Sequence, residues 1–329
     1  MTGSGRLTAW YGRYERWHGL DRALRRSPAQ AWFRRRAARR LAVLGYHGID
    51  DPAGFARHLD LLLETARPVS LQQVEEAVRT GAQLPPGSVL LTFDDGHRSI
   101  LEAGLPLLRE RGMPAVCFVV AGLIGTDTPF WPHEVTHLVR SGASVPGLDT
   151  STAEACLHAL KQRPEGERER AVEQLRRSVP SPAPRERQLT GPELRELEAG
   201  GVAVGNHTLT HPCLQRCDDV QARAEVLAAH DRLTALLGHP PTSFAYPNGD
   251  FAPMAHRALL EAGYRSGFLY DHGLAAPGVQ HPLMLSRLRV STSTPRERLE
   301  TVLSGLQPAV YRAVRATGRA VLRARPGRG

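Results

Sequence analysis

The stretch Ser88-Val-Leu-Leu-Thr-Phe-Asp-Asp-Gly96 decides the fold, because an apolar run of strand length ends directly on two acidic residues and a glycine. Residues 89–93 are apolar or β-branched, which is typical of a strand buried on both faces of a parallel sheet. Asp94-Asp95-Gly96 alone is also good turn chemistry, since Gly96 can adopt positive φ. The stretch therefore predicts a strand of an α/β fold that carries two carboxylates at its carboxyl end.

Short apolar runs alternate with amphipathic segments on both sides of this strand. Further strands are predicted at 41–46, 115–121, 202–205, 243–246, 267–270 and 285–290. Helices are predicted at 55–66, 101–111, 218–237, 252–262 and 294–304. Such alternation predicts an α/β protein with a mainly parallel sheet covered by helices, either open or closed as a barrel.

The chain divides into three parts by composition. Residues 1–40 contain eleven arginines and form a basic leader that we expect to be partly helical or disordered, and residues 307–329 form a basic C-terminal tail with six arginines and no acid. The body, 41–306, contains an expected helical insertion at about 132–188, where prolines interrupt highly charged sequence. The formal net charge is +9, but the two tails carry +15 and the body −6.

This charge distribution indicates which binding partners to expect. A groove that follows a phosphate backbone needs positive charge on its folded face, so we expect no nucleic-acid partner. The Arg-rich tails instead suggest peripheral contact with an anionic membrane. The four cysteines are too dispersed for a disulfide framework, and the sequence has no apolar run of signal-peptide or membrane-span length. We therefore predict a cytoplasmic location, with or without contact at the inner face of the membrane.

A pair of histidines follows another predicted strand. Asn206-His207-Thr-Leu-Thr-His211 places two imidazoles four residues apart, as on one face of a helical turn. Asp95, His207 and His211 would fill three positions of a divalent metal, with zinc as the default, and leave it open to water and substrate. Asp94, which does not ligate, would then accept the proton of that water as a general base. The residues predict a metal-dependent hydrolase.

Two alternatives compete with this interpretation, one with other ligands and one with another metal. Cys213 and Cys217 follow His211 closely, so a closed zinc site of two histidines and two cysteines is an alternative. That site would leave Asp94 and Asp95 without a role. The same carboxylate and two imidazoles also resemble the donor set of non-haem Fe(II) oxygenases.

The motifs resemble those of the polysaccharide deacetylases of carbohydrate esterase family 4, also called the NodB homology domain. Residues 92–96 are similar to its first motif, His207 with His211 to its second, and Phe244-Ala-Tyr-Pro-Asn-Gly249 to its third. The resemblance implies a distorted (β/α) barrel of about seven strands. It also implies Asp94 as the base, Asp95, His207 and His211 as metal ligands, and the backbone N–H of Asn248 as an oxyanion donor, with Tyr246 and Pro247 beside the substrate.

The sequence departs from the family pattern at two places. Ala245 stands where the family often has an arginine that orients the base, and the late Leu-x-His motif that commonly supplies the general acid is absent. His47 after Tyr46 resembles the catalytic histidine of the exopolysaccharide N-acetylglucosamine deacetylase subgroup, although a capping role fits it equally well. His272 and His281 are the other candidates for the acid. Arg287 and Arg289 are candidates for the orienting cation, or for a structural ion pair.

The resemblance implies a hydrolase that removes N-acetyl groups from an N-acetylated glycan or glycan precursor and releases acetate. This is an enzyme acting on a carbon–nitrogen bond other than a peptide bond. Ala245 leaves open a catalytically impaired, glycan-binding barrel of the same fold. The partner expected in either case is an N-acetylated glycan.

Overall fold

The computed structural model describes residues 18–323, so the predictions for residues 1–17 and 324–329 lie outside it. Eight strands form one parallel sheet: β1 Ala42–Tyr46, β2 Arg67–Pro68, β3 Ser88–Phe93, β4 Ala115–Val119, β5 Val202–Asn206, β6 Ser243–Ala245, β7 Ser266–Phe268 and β8 Leu288–Arg289. Seven of them follow the order β7-β6-β5-β4-β3-β1-β8, and β2 pairs with β3.

The segment 285–289 connects the two ends of this order. Leu285 pairs with Phe268 of β7, and Leu288 pairs with Leu44 of β1. The sheet therefore closes on itself as a distorted barrel, which confirms the predicted fold. Side chains such as Phe118 and Phe268 are fully buried and pack against each other inside it, with their ring centroids 5.5 Å apart.

Helices cover the outside of the sheet. They are α1 His18–Arg26, α2 Pro28–Ala37, α3 Pro52–Thr65, α4 Leu71–Thr80, α5 Leu105–Glu110, α6 Trp131–Arg140, α7 Ala153–Lys161, α8 Glu165–Arg177, α9 Gly191–Ala199, α10 Asp219–Leu237, α11 Pro253–Glu261, α12 Arg296–Leu303 and α13 Leu306–Arg323. Ser70 and Thr190 begin α4 and α9 with capping boxes, which satisfy otherwise unpaired N–H groups. The predicted helix at 101–111 instead begins with a π-helical turn, Ile100–Gly104.

The insertion consists of α6, α7 and α8, which pack around an apolar core of their own that includes Leu138, Cys156 and Leu175. At the other end of the chain, α1 packs on α12, where buried Asp21 pairs with Arg298. None of the helices between residues 18 and 323 has the length and apolarity that a bilayer crossing needs. The predicted division of the chain and its predicted location stay predictions.

Candidate metal centre and active site

The carboxyl ends of three strands bring the predicted site residues to one end of the barrel. His47 follows β1, Asp94 and Asp95 follow β3, and His207 follows β5. Parallel strands end at the same edge of a sheet, which is where α/β enzymes place their chemistry. The backbone N–H of Asp94 donates to Tyr46 O at 2.9 Å, so the β1 and β3 ends are directly tied.

Asp95, His207 and His211 converge as predicted. Asp95 Oδ1 lies 3.4 Å from His207 Nε2 and 3.4 Å from His211 Nε2, and the three ligand atoms all fall within 4.8 Å of one another. Asp95 Oδ1 is buried and has no hydrogen-bond partner, an unusual state for a carboxylate oxygen. One carboxylate and two imidazoles that face a common point fit a divalent metal ion.

The protonation states of His211 and Asp95 also fit a metal, whereas burial lowers the pKa of His207 but Asp94 and Asp95 raise it more. Burial lowers the pKa of His211 to about 3, so its imidazole is neutral, as a ligand must be. Burial raises the pKa of Asp95, but the surrounding histidines His207, His211 and His47 lower it more, so Asp95 is ionised. His207 Nδ1 lies 2.7 Å from the carbonyl oxygen of Ala245, which turns Nε2 towards Asp95.

The predicted helical turn between the two histidines is wrong. Residues 207–213 form a loop in which Thr208 and His211 have φ of 70° and 60°. The carboxylate of Glu225 on α10 holds this loop, because it accepts the N–H groups of Leu209 and Thr210 at 3.0 and 2.9 Å. The imidazoles therefore converge through two left-handed residues and a distant carboxylate, not through helical spacing.

The catalytic base candidate, Asp94, pairs with Arg287. The guanidinium donates from both terminal nitrogens, at 2.6 Å to Oδ1 and 2.8 Å to Oδ2, and Arg287 is fully buried. Burial raises the pKa of Asp94, but Arg287 and His207 lower it below its usual value, so the carboxylate is ionised and can accept a proton. Arg289 instead donates to the carbonyl oxygen of Tyr270. Of the two predicted arginines, Arg287 orients Asp94.

The three candidates for the general acid lie in different surroundings. His47 is exposed at the end of β1, with its ring 5.6 Å from that of Tyr270, and its charge lowers the pKa of both Asp94 and Asp95. His272 is buried and contacts Gln307 and the N–H of Arg289. His281 begins a single helical turn and stacks near His256. This effect on both aspartates favours His47 among the three candidates.

The third motif forms a tight loop at the end of β6. Asn248 has φ of 58°, and Gly249 follows with φ of 77°, where a Cβ would lie 2.4 Å from Tyr270 N. Tyr246 and Pro247 are buried beneath this loop, and the Tyr246 hydroxyl lies 3.3 Å from His256 Nδ1. The predicted contact of these two residues with substrate stays a prediction.

The insertion supplies contacts that were not predicted. Trp131 Nε1 donates to the carbonyl oxygen of His211 at 3.1 Å, and the Phe130 ring lies 5.1 Å from the His211 ring. Lys161 Nζ donates to Asn248 Oδ1 at 2.6 Å. One signal was present in the sequence, because Lys161 is the only lysine among 42 basic Lys and Arg residues.

The two cysteines do not join the metal centre. Cys213 Sγ lies 3.5 Å from Asn248 Nδ2, and Cys217 Sγ donates to Cys213 O. Between residues 18 and 323, the one cluster of His, Cys, Asp and Glu with metal-binding spacing is the triad itself. The closed site of two histidines and two cysteines is therefore not formed.

Comparison with known proteins gives a consistent result. Residues 81–267 match the family model described as polysaccharide deacetylase. Over 99 residues the chain is 32% identical to the poly-beta-1,6-N-acetyl-D-glucosamine N-deacetylase of Escherichia coli strain K12, and this match covers 26% of the chain and 14% of the relative. The match thus spans a small part of that relative.

Solved structures resemble about four fifths of the chain. The Streptococcus pyogenes deacetylase PplD, in complex with acetate, has a TM-score of 0.56 at 18% identity, covering 80% of this chain and 98% of that one. IcaB from Ammonifex degensii has a TM-score of 0.55 at 21% identity, covering 81% and 97%. The de-N-acetylase from Aggregatibacter actinomycetemcomitans has a TM-score of 0.57 at 18% identity, covering 80% of this chain and 99% of that one. At these identities the similarity shows the fold.

Proposed function

Because the chain belongs to the polysaccharide deacetylase family, we propose that it is a metal-dependent N-deacetylase that hydrolyses the acetamide of an N-acetylglucosamine-type sugar in a glycan. The observation that carries this proposal is the pairing of two adjacent carboxylates with different surroundings. Asp95 faces two imidazoles and has an unpaired oxygen, whereas Asp94 is held by Arg287. One carboxylate is arranged to ligate and the other to accept a proton.

The roles of the chain's own residues follow from their positions. Asp94, kept ionised by Arg287, accepts a proton from the attacking water, and the backbone N–H of Asn248 donates to the acetamide oxygen as negative charge develops there. His47, exposed beside Tyr270, donates a proton to the leaving amine. A divalent ion held by Asp95, His207 and His211, with zinc as the default, would supply Lewis acidity and lower the pKa of water.

The pair formed by Arg287 and Asp94 also bears on the alternative of an impaired, glycan-binding barrel. That alternative depended on Ala245, which leaves the base without its usual arginine. Arg287 provides a bidentate guanidinium from a different part of the chain. We therefore favour an active enzyme, and the similarity to the Escherichia coli deacetylase makes β-1,6-linked N-acetylglucosamine oligomers the first substrate to test.

The test is acetate release from these oligomers by metal-free protein after zinc is added back. We expect release by the wild type and a loss of about 10²- to 10⁴-fold in Asp94→Asn, which is the usual contribution of a general base. Zinc binding should survive this substitution, because Asp94 is not a ligand. Equal acetate release by both proteins would contradict the role of Asp94, and aerobic turnover that needs a 2-oxoacid and releases no acetate would favour an Fe(II) oxygenase.

A further inference from the structure

The opposite end of the barrel carries a surface that the proposed function does not use. Arg39 and Arg40 lie just before β1, and the pairing of Ala275 with Leu41 places the 274–279 segment at the same end. Residues 304–305 connect α12 to α13. These segments and α2 enclose a groove of about 1050 Å³. Since His47 and Asp94 follow the carboxyl ends of the strands, the groove and the candidate active site lie at opposite ends.

This groove is basic and partly apolar. Five arginines line it, and none of the described residues in its lining is acidic. Trp32 and Val279, also in the lining, are 53% and 83% exposed. We call this surface the basic face, and it comprises Trp32, Arg35, Arg36, Arg39, Arg40, Val279 and Arg312.

The arginines of the basic face differ from those on neighbouring helices. Arg25 of α1 pairs with Glu300, and Arg298 of α12 pairs with Asp21. Within residues 18–323, no ion pair joins Arg35, Arg39 or Arg40 to an acid. Arg35, Arg36, Arg39 and Arg40 belong to the basic leader and Arg312 to the basic C-terminal tail, so the basic face brings together residues of the two segments that carry the positive charge of the chain.

We propose that the basic face docks the protein on an anionic lipid membrane. Guanidinium groups without internal partners are attracted to lipid phosphates, and each contributes appreciably near an anionic surface. Trp32 is an amphipathic ring suited to the headgroup region, with Arg36 stacked over it at 4.8 Å. Exposed Val279 adds an apolar contact, which a nucleic-acid backbone does not reward. The proposal gives a defined surface to the membrane contact expected from the Arg-rich ends.

Docking by the basic face would fix the orientation of the protein relative to the membrane. The candidate active site would point away from the bilayer, towards the aqueous phase. The docked enzyme would then act on glycan in solution or on a chain that extends from the membrane, and not on a sugar at the level of the headgroups. This second step rests on the proposed function, whereas the docking itself does not.

The test is co-sedimentation of the full chain with vesicles that contain phosphatidylglycerol, compared with vesicles of phosphatidylcholine alone. We expect binding to the anionic vesicles that weakens with salt. The variant Arg35→Gln/Arg39→Gln should bind roughly 30-fold more weakly, from the typical contribution of two arginines at such a surface. Trp32→Ala/Val279→Ser should also weaken binding, and thermal unfolding of each variant reports whether it folds.

A matched control removes the same charge elsewhere. Arg170 and Arg257 are exposed on α8 and α11, so Arg170→Gln/Arg257→Gln should bind vesicles almost as well as the wild type. Equal losses in both double variants would overturn the proposal, because net charge alone would then explain binding. Equal binding to both kinds of vesicle, or binding to duplex DNA but not to anionic vesicles at the same salt, would also overturn it.

The orientation has its own readout. Vesicle-bound protein should release acetate from soluble oligomers as fast as free protein does. Slower release by the bound form, with free protein active, would contradict the orientation. No release by free protein would instead contradict the proposed function, and the co-sedimentation result would still decide the docking.

Discussion

The two halves of the candidate site are built from different kinds of sequence information. The metal half consists of Asp95, His207 and His211, which come from two short motifs at the carboxyl ends of β3 and β5. The base half joins Asp94 to Arg287, 193 residues later in the chain. Ligands can be recognised in local motifs, but the group that keeps a buried base ionised can come from any segment that the fold brings near it.

Arg287 reaches Asp94 because of how the barrel closes. Leu285 pairs with β7 and Leu288 with β1, so Arg287 lies in the segment that joins the two edges. Its guanidinium is inside the barrel, 5.6 Å from the Phe118 ring, and its Nε donates to Leu269 O. The same segment therefore closes the sheet and orients the base, which couples the base half to the whole fold.

The largest expected effect comes from breaking the metal half. His207→Ala should lose bound zinc and reduce acetate release on the order of 10³-fold or more, since metal catalysis contributes several kcal/mol. Metal content by mass spectrometry and acetate release measure the two effects. His239, an exposed histidine that pairs with Glu198, provides the matched control. If His239→Ala lost as much zinc as His207→Ala, the triad would not be the binding site.

Removing Arg287 tests the base half. Arg287→Met leaves Asp94 buried without its partner, which should lower the free energy of unfolding by about 3–5 kcal/mol. Burial then raises the pKa of Asp94 with less opposition, so the acidic limb of the activity profile should move to higher pH. Chemical denaturation and the pH dependence of acetate release measure these effects.

The double variant Asp94→Asn/Arg287→Met separates stability from catalysis. Without a buried charge on either side, it should recover part of the lost stability and remain as inactive as Asp94→Asn. Recovery of activity together with stability would show that Asp94 is not the base. Zinc binding should persist in Arg287→Met and in the double variant, because both leave the metal half intact.

The comparison also shows what could be predicted from the sequence. The β3 strand and the two aspartates were predictable, because an apolar run and the residues that follow it are adjacent in the chain. The conformation of the histidine loop was not, because the loop is held by hydrogen bonds from Leu209 and Thr210 to Glu225 on α10, outside the motif. Arg287 and Arg289 were equal candidates in the sequence for the cation that orients Asp94. Only the closed barrel shows that Arg287 is the one that contacts it. The insertion's contacts depend on packing between helices and loops, which has no local pattern.

A smaller effect is expected where the insertion meets the third motif. Lys161→Met removes the ammonium that holds Asn248, and the loss of one charged hydrogen bond should lower kcat about tenfold. Lys161→Arg keeps the charge and should restore part of the rate. A change confined to KM would mean that Lys161 contacts substrate and does not position the loop.

The smallest expected effect comes from the insertion's contact with the metal half. Trp131→Phe keeps an aromatic ring but removes the N–H that donates to His211 O, a neutral hydrogen bond of about 1 kcal/mol. Zinc affinity, measured by competition with a chelator, should fall about fivefold because the loop that carries His211 is held less firmly. Trp32→Phe, at the opposite end of the barrel, is the matched control and should leave zinc affinity unchanged. A wild-type affinity in Trp131→Phe would show that the loop and Glu225 fix His211 without help, and that the insertion acts on the site only through the contact of Lys161 with Asn248 of the third motif.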